Sequence, residues 1–138
     1  MDAILNSIAG LQNFALYFAI SISLFFVFKV VYAFVTPHDE WKLVKEDKNT
    51  AAAIGFGGAM IGFSIALSGA VTNSEFLLDY VIWGIVAIIA QLFAFALLRF
   101  TFMPKIAERI QNNEISAGVM LGAMSVAVGM LNAACMTY

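Results

Sequence analysis

Apolar and polar positions along this chain fall in blocks. Four apolar blocks, at about 14–35, 49–71, 76–100 and 113–136, are separated by short polar segments. No charged residue lies between Asn49 and Val71, or between Asp79 and Arg99. A charge-free apolar run of about 20 residues is long enough to cross a bilayer as a helix. A soluble core helix keeps a polar outer face, and these blocks have none. The pattern predicts an all-α integral membrane protein of four transmembrane helices, with 1–138 as a single transmembrane domain.

The polar segments predict where each helix starts and stops. Residues 1–13 carry Asp2, Asn6, Gln12 and Asn13 at intervals. They lack a basic n-region and a small-x-small site, so they read as an uncleaved external tail and not as a signal peptide. At most they form a short interfacial helix. Helix one is expected from Phe14 to Val35, and Thr36-Pro37 should end it, because the residue before proline avoids the helical region. The stretch after it, His38 to Lys48, is the most charged of the chain and contains Trp41, an indole suited to the headgroup level. Asn49 is placed to cap helix two by accepting from an orphan backbone N–H. Thr72 and Glu75 have the spacing of a capping box for helix three. Pro104 closes the next connection, and Asn113 is expected to cap helix four, which runs to about Met136.

Charge sets the expected orientation. Lys42, Lys45, Lys48, Lys105 and Arg109 lie in the segments 36–49 and 101–114, and Lys29 and Arg99 near the same helix ends. The termini and the 72–75 turn carry no lysine or arginine, so the positive-inside rule predicts N-out/C-out with both charged loops cytoplasmic. The halves also resemble each other. At an offset of 64 residues Asn49 matches Asn113, and Gly58-Ala59-Met60 matches Gly122-Ala123-Met124. Two helical hairpins, about 14–71 and 76–136, would then form a parallel repeat about an axis along the membrane normal.

Small residues recur at helical spacing on three helices. Helix two has Gly55, Ala59, Gly62, Ala66 and Gly69, with Gly58 beside them. Helix three has Gly84, Ala87, Gln91 and Ala94, and helix four has Gly118, Gly122, Ser125, Gly129 and Asn132. In lipid no hydrophobic force brings helices together, so such faces associate by close backbone packing and hydrogen bonds. Spare faces of this kind suggest a homo-oligomer.

Polar groups inside the membrane are the natural functional candidates. Gln91 and Ser125 lie at nearly the same depth and should meet, directly or through a water, either as a packing hydrogen bond or on a solute path. Ser21 and Ser64 are expected level with each other near the bilayer middle. Lys29 is placed to snorkel to the headgroups over an aromatic face, the sharper alternative being a buried functional lysine. Asn132 should make an interhelical hydrogen bond.

Composition narrows the chemistry. Charged residues make up 12% of the chain, where soluble domains hold about 25%, and the net charge of −2 is too weakly patterned for nucleic acid. No aspartate or glutamate is placed in a membrane interior, Asp79 and Glu114 lying at block ends, which disfavours a proton-coupled transporter. Cys135, without a second cysteine, is expected as a small buried apolar residue. His38 alone makes no metal site. With no nucleophile–base set, metal cluster or phosphate loop in the sequence, no cofactor is expected and the protein reads as a non-enzyme.

The two asparagine-led helices, NTAAAIGFGGAMIGFSIAL and NEISAGVMLGAMSVAVGMLNAA, with DYVIWGIVAIIAQLFAFALLRF between them, resemble the YjfL-type bacterial inner-membrane proteins. The similarity covers nearly the whole chain, and GMLNAACMT at 129–137 is its most specific piece. The resemblance implies a four-helix bacterial inner (cytoplasmic) membrane protein with a domain of unknown function, encoded near envelope-stress and glutathionylspermidine-synthetase-like genes. It carries no catalytic residue over. Many members have glycine before the first asparagine, where this chain has Lys48. Two functions are expected on this basis. One is an oligomeric scaffold or partner subunit linked to envelope stress, whose loops 36–49 and 101–114 bind a cytoplasmic protein. The other is a small channel or passive carrier for a neutral or anionic solute, along Ser21, Ser64, Gln91 and Ser125. Lipid binding by Lys42, Lys45 and Lys48 is weaker, because Glu46 and Asp47 are interleaved with them.

Overall fold

A computed structural model describes residues 1–36 and 40–136, among which every regular element is helical. Pro37, His38 and Asp39, and with them the expectations placed on that proline and histidine, lie outside the described residues. Among the described residues four helices are long and apolar enough to cross a membrane. They are α1 (Asp2–Val35), α3 (Thr50–Asn73), α4 (Leu77–Leu97) and α6 (Ile115–Cys135). Two six-residue helices, α2 (Glu40–Lys45) and α5 (Ile106–Gln111), lie in the charged segments.

The fold is organised around α3 and α6, which run parallel and touch along their length. Glycine makes this possible. A Cβ on Gly118 would stand 2.3 Å from the Ala51 carbonyl oxygen, and one on Gly58 would stand 2.2 Å from the Gly122 Cα. Further along, a Cβ on Gly62 would meet the Ser125 carbonyl oxygen at 2.2 Å, and one on Gly129 the Gly62 carbonyl oxygen at 2.1 Å. At all four positions the obstacle is backbone, which cannot rotate aside as a side chain can. Gly55 differs, because its neighbour is the flexible end of the Leu121 side chain. With little area to gain from leaving lipid, dispersion across this seam is what holds the pair.

α4 packs its buried face, Tyr80, Gly84, Ala87, Gln91 and Ala94, into the groove beside the α3–α6 pair. α1 is peripheral, with only Leu24, Phe28 and Tyr32 buried along it. Its inward phenylalanines grip Phe63 of α3, Phe28 stacked at 4.5 Å between centroids and Phe25 edge-on at 5.3 Å. Phe14, Phe18, Phe26 and Phe34 point outward, where the solvent is hydrocarbon.

Several element ends differ from the sequence-based expectation. Residues 2–13 are not a separate tail but the first turns of α1, a helix about 50 Å long by its rise per residue. Nothing there breaks a helix. Gly10 costs little, and Ser7 returns its hydroxyl to the Ala3 carbonyl at 2.9 Å. The capping box at Thr72 does not form, because α3 continues through it and Thr72 Oγ1 bonds back to the Ser68 carbonyl at 2.8 Å. The Asp79 carboxylate instead accepts from the Glu75 N–H, at 3.1 Å. α4 ends in a wider π-turn, Leu98–Phe102, just before Pro104, which has no N–H to continue it. Cys135 is exposed at the end of α6 and not buried.

The glycine seam makes a direct prediction. Gly129→Ala and Gly58→Ala should each lower stability by about 1–3 kcal/mol through overpacking. Gly57→Ala, where a Cβ meets nothing within 4 Å, should be neutral. Thermal unfolding in one detergent compares the three; equal effects would show that the seam is loose.

Candidate functional site

The seam brings polar groups together in the middle of the membrane. Because Gly62 has no side chain, the Gln91 amide of α4 reaches the α3–α6 contact; its Nε2 stands 2.8 Å from where a Gly62 Cβ would be. There Nε2 donates to the Ser125 backbone carbonyl at 3.0 Å. Both residues are fully buried, at 0% exposure. Gln91 and Ser125 thus meet through the serine's main chain and not its hydroxyl. Among the described residues neither Gln91 Oε1 nor Ser125 Oγ has a hydrogen-bond partner. Leaving a buried polar atom unsatisfied costs about 1–3 kcal/mol, so this spot keeps spare hydrogen-bonding capacity where bilayer packing alone has no use for it.

A second polar junction lies where α3 and α6 begin. Asn49 Oδ1 accepts from the Ala52 N–H at 2.9 Å, capping α3. Its Nδ2 donates to the Ile110 carbonyl at 2.7 Å, at the end of α5. Asn113 does not cap α6, contrary to expectation. It sits in the left-handed region (φ 58°), one residue before the true N-cap Glu114, and occupies the place that Lys48 (φ 51°) occupies before Asn49. From there Asn113 Oδ1 accepts from the Ala51 N–H at 3.0 Å. Both asparagines therefore serve the first turn of α3, and each ties it to the α5–α6 connection. Glu114 makes no side-chain cap and instead pairs with Arg109.

The remaining candidates are dispersed. Ser21 returns its hydroxyl to the Tyr17 carbonyl at 2.7 Å and contacts the Tyr80 hydroxyl. Ser64 is exposed to the lipid side and bonds only to the Met60 carbonyl of its own helix, at 2.8 Å. Ser21 and Ser64 do not join Gln91 and Ser125 in one polar line, because a shared depth does not give a shared face. Asn132 Nδ2 is buried without a hydrogen-bond partner among the described residues, so this group makes no interhelical bond. Lys29 is half-buried, its ammonium 4.5 Å from the centroid of the Trp41 ring on α2.

Sequence reasoning missed Tyr80 and the role of Trp41. Tyr80 was findable, since it extends the Gly84–Ala87–Gln91 series by one turn on the same face. Trp41 was not, because its approach to Lys29 depends on how α2 folds back against α1, which is fixed by Leu43 and Val44 packing on the core. Among the described residues no group of three metal-ligating side chains forms.

Comparison with known proteins agrees with this architecture. The family model described as Domain of Unknown Function (DUF350) matches residues 6–136. The chain is 40% identical over 129 residues to the UPF0719 inner membrane protein YjfL of Escherichia coli (strain K12), covering 94% of this chain and 96% of that one. It is 24% identical over 125 residues to the UPF0719 transmembrane protein YshE of Bacillus subtilis (strain 168), covering 90% and 92%. No solved structure matches.

Two outcomes follow from the junctions. Lys48→Gly should stabilise the protein by up to about 1 kcal/mol, because a lysine held left-handed carries a steric cost that glycine does not. Gln91→Met removes one hydrogen bond worth about 0.6 kcal/mol but also an orphan acceptor that costs about 1–3 kcal/mol, so stability should hold or rise by up to about 2 kcal/mol. Unfolding in detergent measures both; a loss of stability with Lys48→Gly contradicts the backbone assignment.

Proposed function

The chain belongs to the DUF350 family of bacterial inner-membrane proteins, and from that premise we propose that it is a non-enzymatic, self-associating scaffold or partner subunit. The observation that carries this reading is an open groove of about 690 Å³ along the outer side of the α3–α6 seam. Its walls are small or apolar, with Ala53, Gly57, Gly58, Ala123 and Ala127 among them. Gly57 faces open space, so the groove keeps room at backbone level for an approaching helix. A second copy is the partner this surface suits best, since small-residue faces associate by close packing in lipid.

The inner polar groups support a non-enzymatic role. They are amides and hydroxyls, and most bond to backbone carbonyls. In the orientation favoured by basic residues, with both termini outside, α2 and α5 would present Lys42, Lys45, Lys105 and Arg109 to the cytoplasm. A cytoplasmic protein docking there, in a response to envelope stress, completes this reading. A parallel two-hairpin repeat fits the parallel course of α3 and α6.

A passive carrier for a neutral or anionic solute is the second reading, and the free acceptor of Gln91 beside Ser125 Oγ favours it. Within one protomer the pair is sealed by protein, so a solute could reach it only if α4 moved away from the α3–α6 pair.

Gly57→Leu should leave the protomer folded but abolish self-association. Cross-linking and pull-down from native membranes check this; recovery of only monomer from the unmodified chain in several mild detergents contradicts the scaffold reading. Liposome flux separates the second reading: Gln91→Met with Ser125→Ala should leave it unchanged if the pair is structural.

A further inference from the structure

We propose that the cleft between α1, α2 and α3 binds an anionic phospholipid, with its phosphate on Lys29 and an acyl chain in the groove below it. The first arm of this site is an apolar groove of about 420 Å³ lined by Ile22, Phe25, Phe28, Phe56 and Met60, which Lys29 and Trp41 close at one end. The second is a smaller crevice of about 330 Å³ that shares Lys29 and Trp41 with the groove and runs the other way, past Val30, Ala33 and Phe34 towards the end of α1. A single cation thus stands between an apolar groove that runs towards the membrane centre and a short crevice on the headgroup side, which suits a phosphate with an acyl chain below it and the rest of the headgroup above.

Electrostatics points to the same occupant. Lys29 lies six residues before the end of α1, about 9 Å along the axis, in the zone where headgroups give way to hydrocarbon. An ammonium there is costly without a counter-charge. Among the described residues no carboxylate pairs with it. The Trp41 face offsets part of the cost but accepts none of its N–H bonds. A lipid phosphate supplies both the charge and the acceptors, and the membrane delivers it. Lys42 and Lys45, both exposed on α2, add positive potential at the mouth.

Native mass spectrometry of the purified chain with added phosphatidylglycerol or phosphatidylcholine tests this. Phosphatidylglycerol should be retained in preference to phosphatidylcholine, and inorganic phosphate should not displace it. Lys29→Gln should weaken retention roughly fivefold, while Lys29→Arg keeps it. Ile22→Trp, which fills the first groove and leaves Lys29 in place, should weaken it as well. Phosphatidylglycerol binding unaffected by Lys29→Gln, equal retention of the two lipids, or displacement by inorganic phosphate would each overturn the assignment.

Discussion

Backbone-to-backbone contact between α3 and α6 is the constraint on which the rest depends. In water two helices this apolar would be driven together by burial. In lipid the surroundings are as apolar as the helices, and only closer contact than lipid provides can hold them. Gly58, Gly62, Gly118 and Gly129 provide it by removing every atom beyond Cα from the contact. The seam in turn sets where other groups sit. Gln91 reaches the pair only because Gly62 is a glycine, and α4 is positioned by the face that carries Gln91.

The ends of the seam are fixed differently. Where α3 begins, its orphan N–H groups need acceptors, and two asparagines supply them at Ala51 and Ala52. One comes from the helix itself and the other from across the seam. Asn49 also returns a hydrogen bond to the Ile110 carbonyl, so the charged connections are bound to each other as well as to their helices. At the other end no comparable polar lock joins the two helices among the described residues, and Gly69 against Ala133 makes the last close approach. The pair is thus stitched at one end and packed at the other.

Much of this was legible in the sequence. Charge-free runs of membrane length can be little other than spanning helices, and a glycine series at helical spacing marks a close-packed face. Depth was legible too, which is why Gln91 and Ser125 are neighbours. Azimuth was legible only where small residues mark a face. Ser64 shares a depth with Gln91 but stands about 200° round α3 from Gly62, off the small-residue face, so depth alone misplaced it. Asn113 was misread because it takes the left-handed position that ends α5, where the Glu114 N–H returns to the Arg109 carbonyl at 3.0 Å, a local helix-end pattern that asparagine suits as well as it suits a cap. The start of α1 was misread because scattered polar residues outside a membrane are compatible with either a tail or a continued helix.

The parallel course of α3 and α6 is the central claim, and engineered cysteine pairs test it most directly. In a Cys135→Ser background, Ala53→Cys with Val119→Cys places two thiols at the same end of the seam, whereas Ala53→Cys with Met130→Cys places them at different ends. The account predicts intramolecular cross-linking of the first pair in native membranes and none of the second. Cross-linking of the second pair and not the first would mean that the two helices run in opposite directions, and the glycine seam as described would not exist.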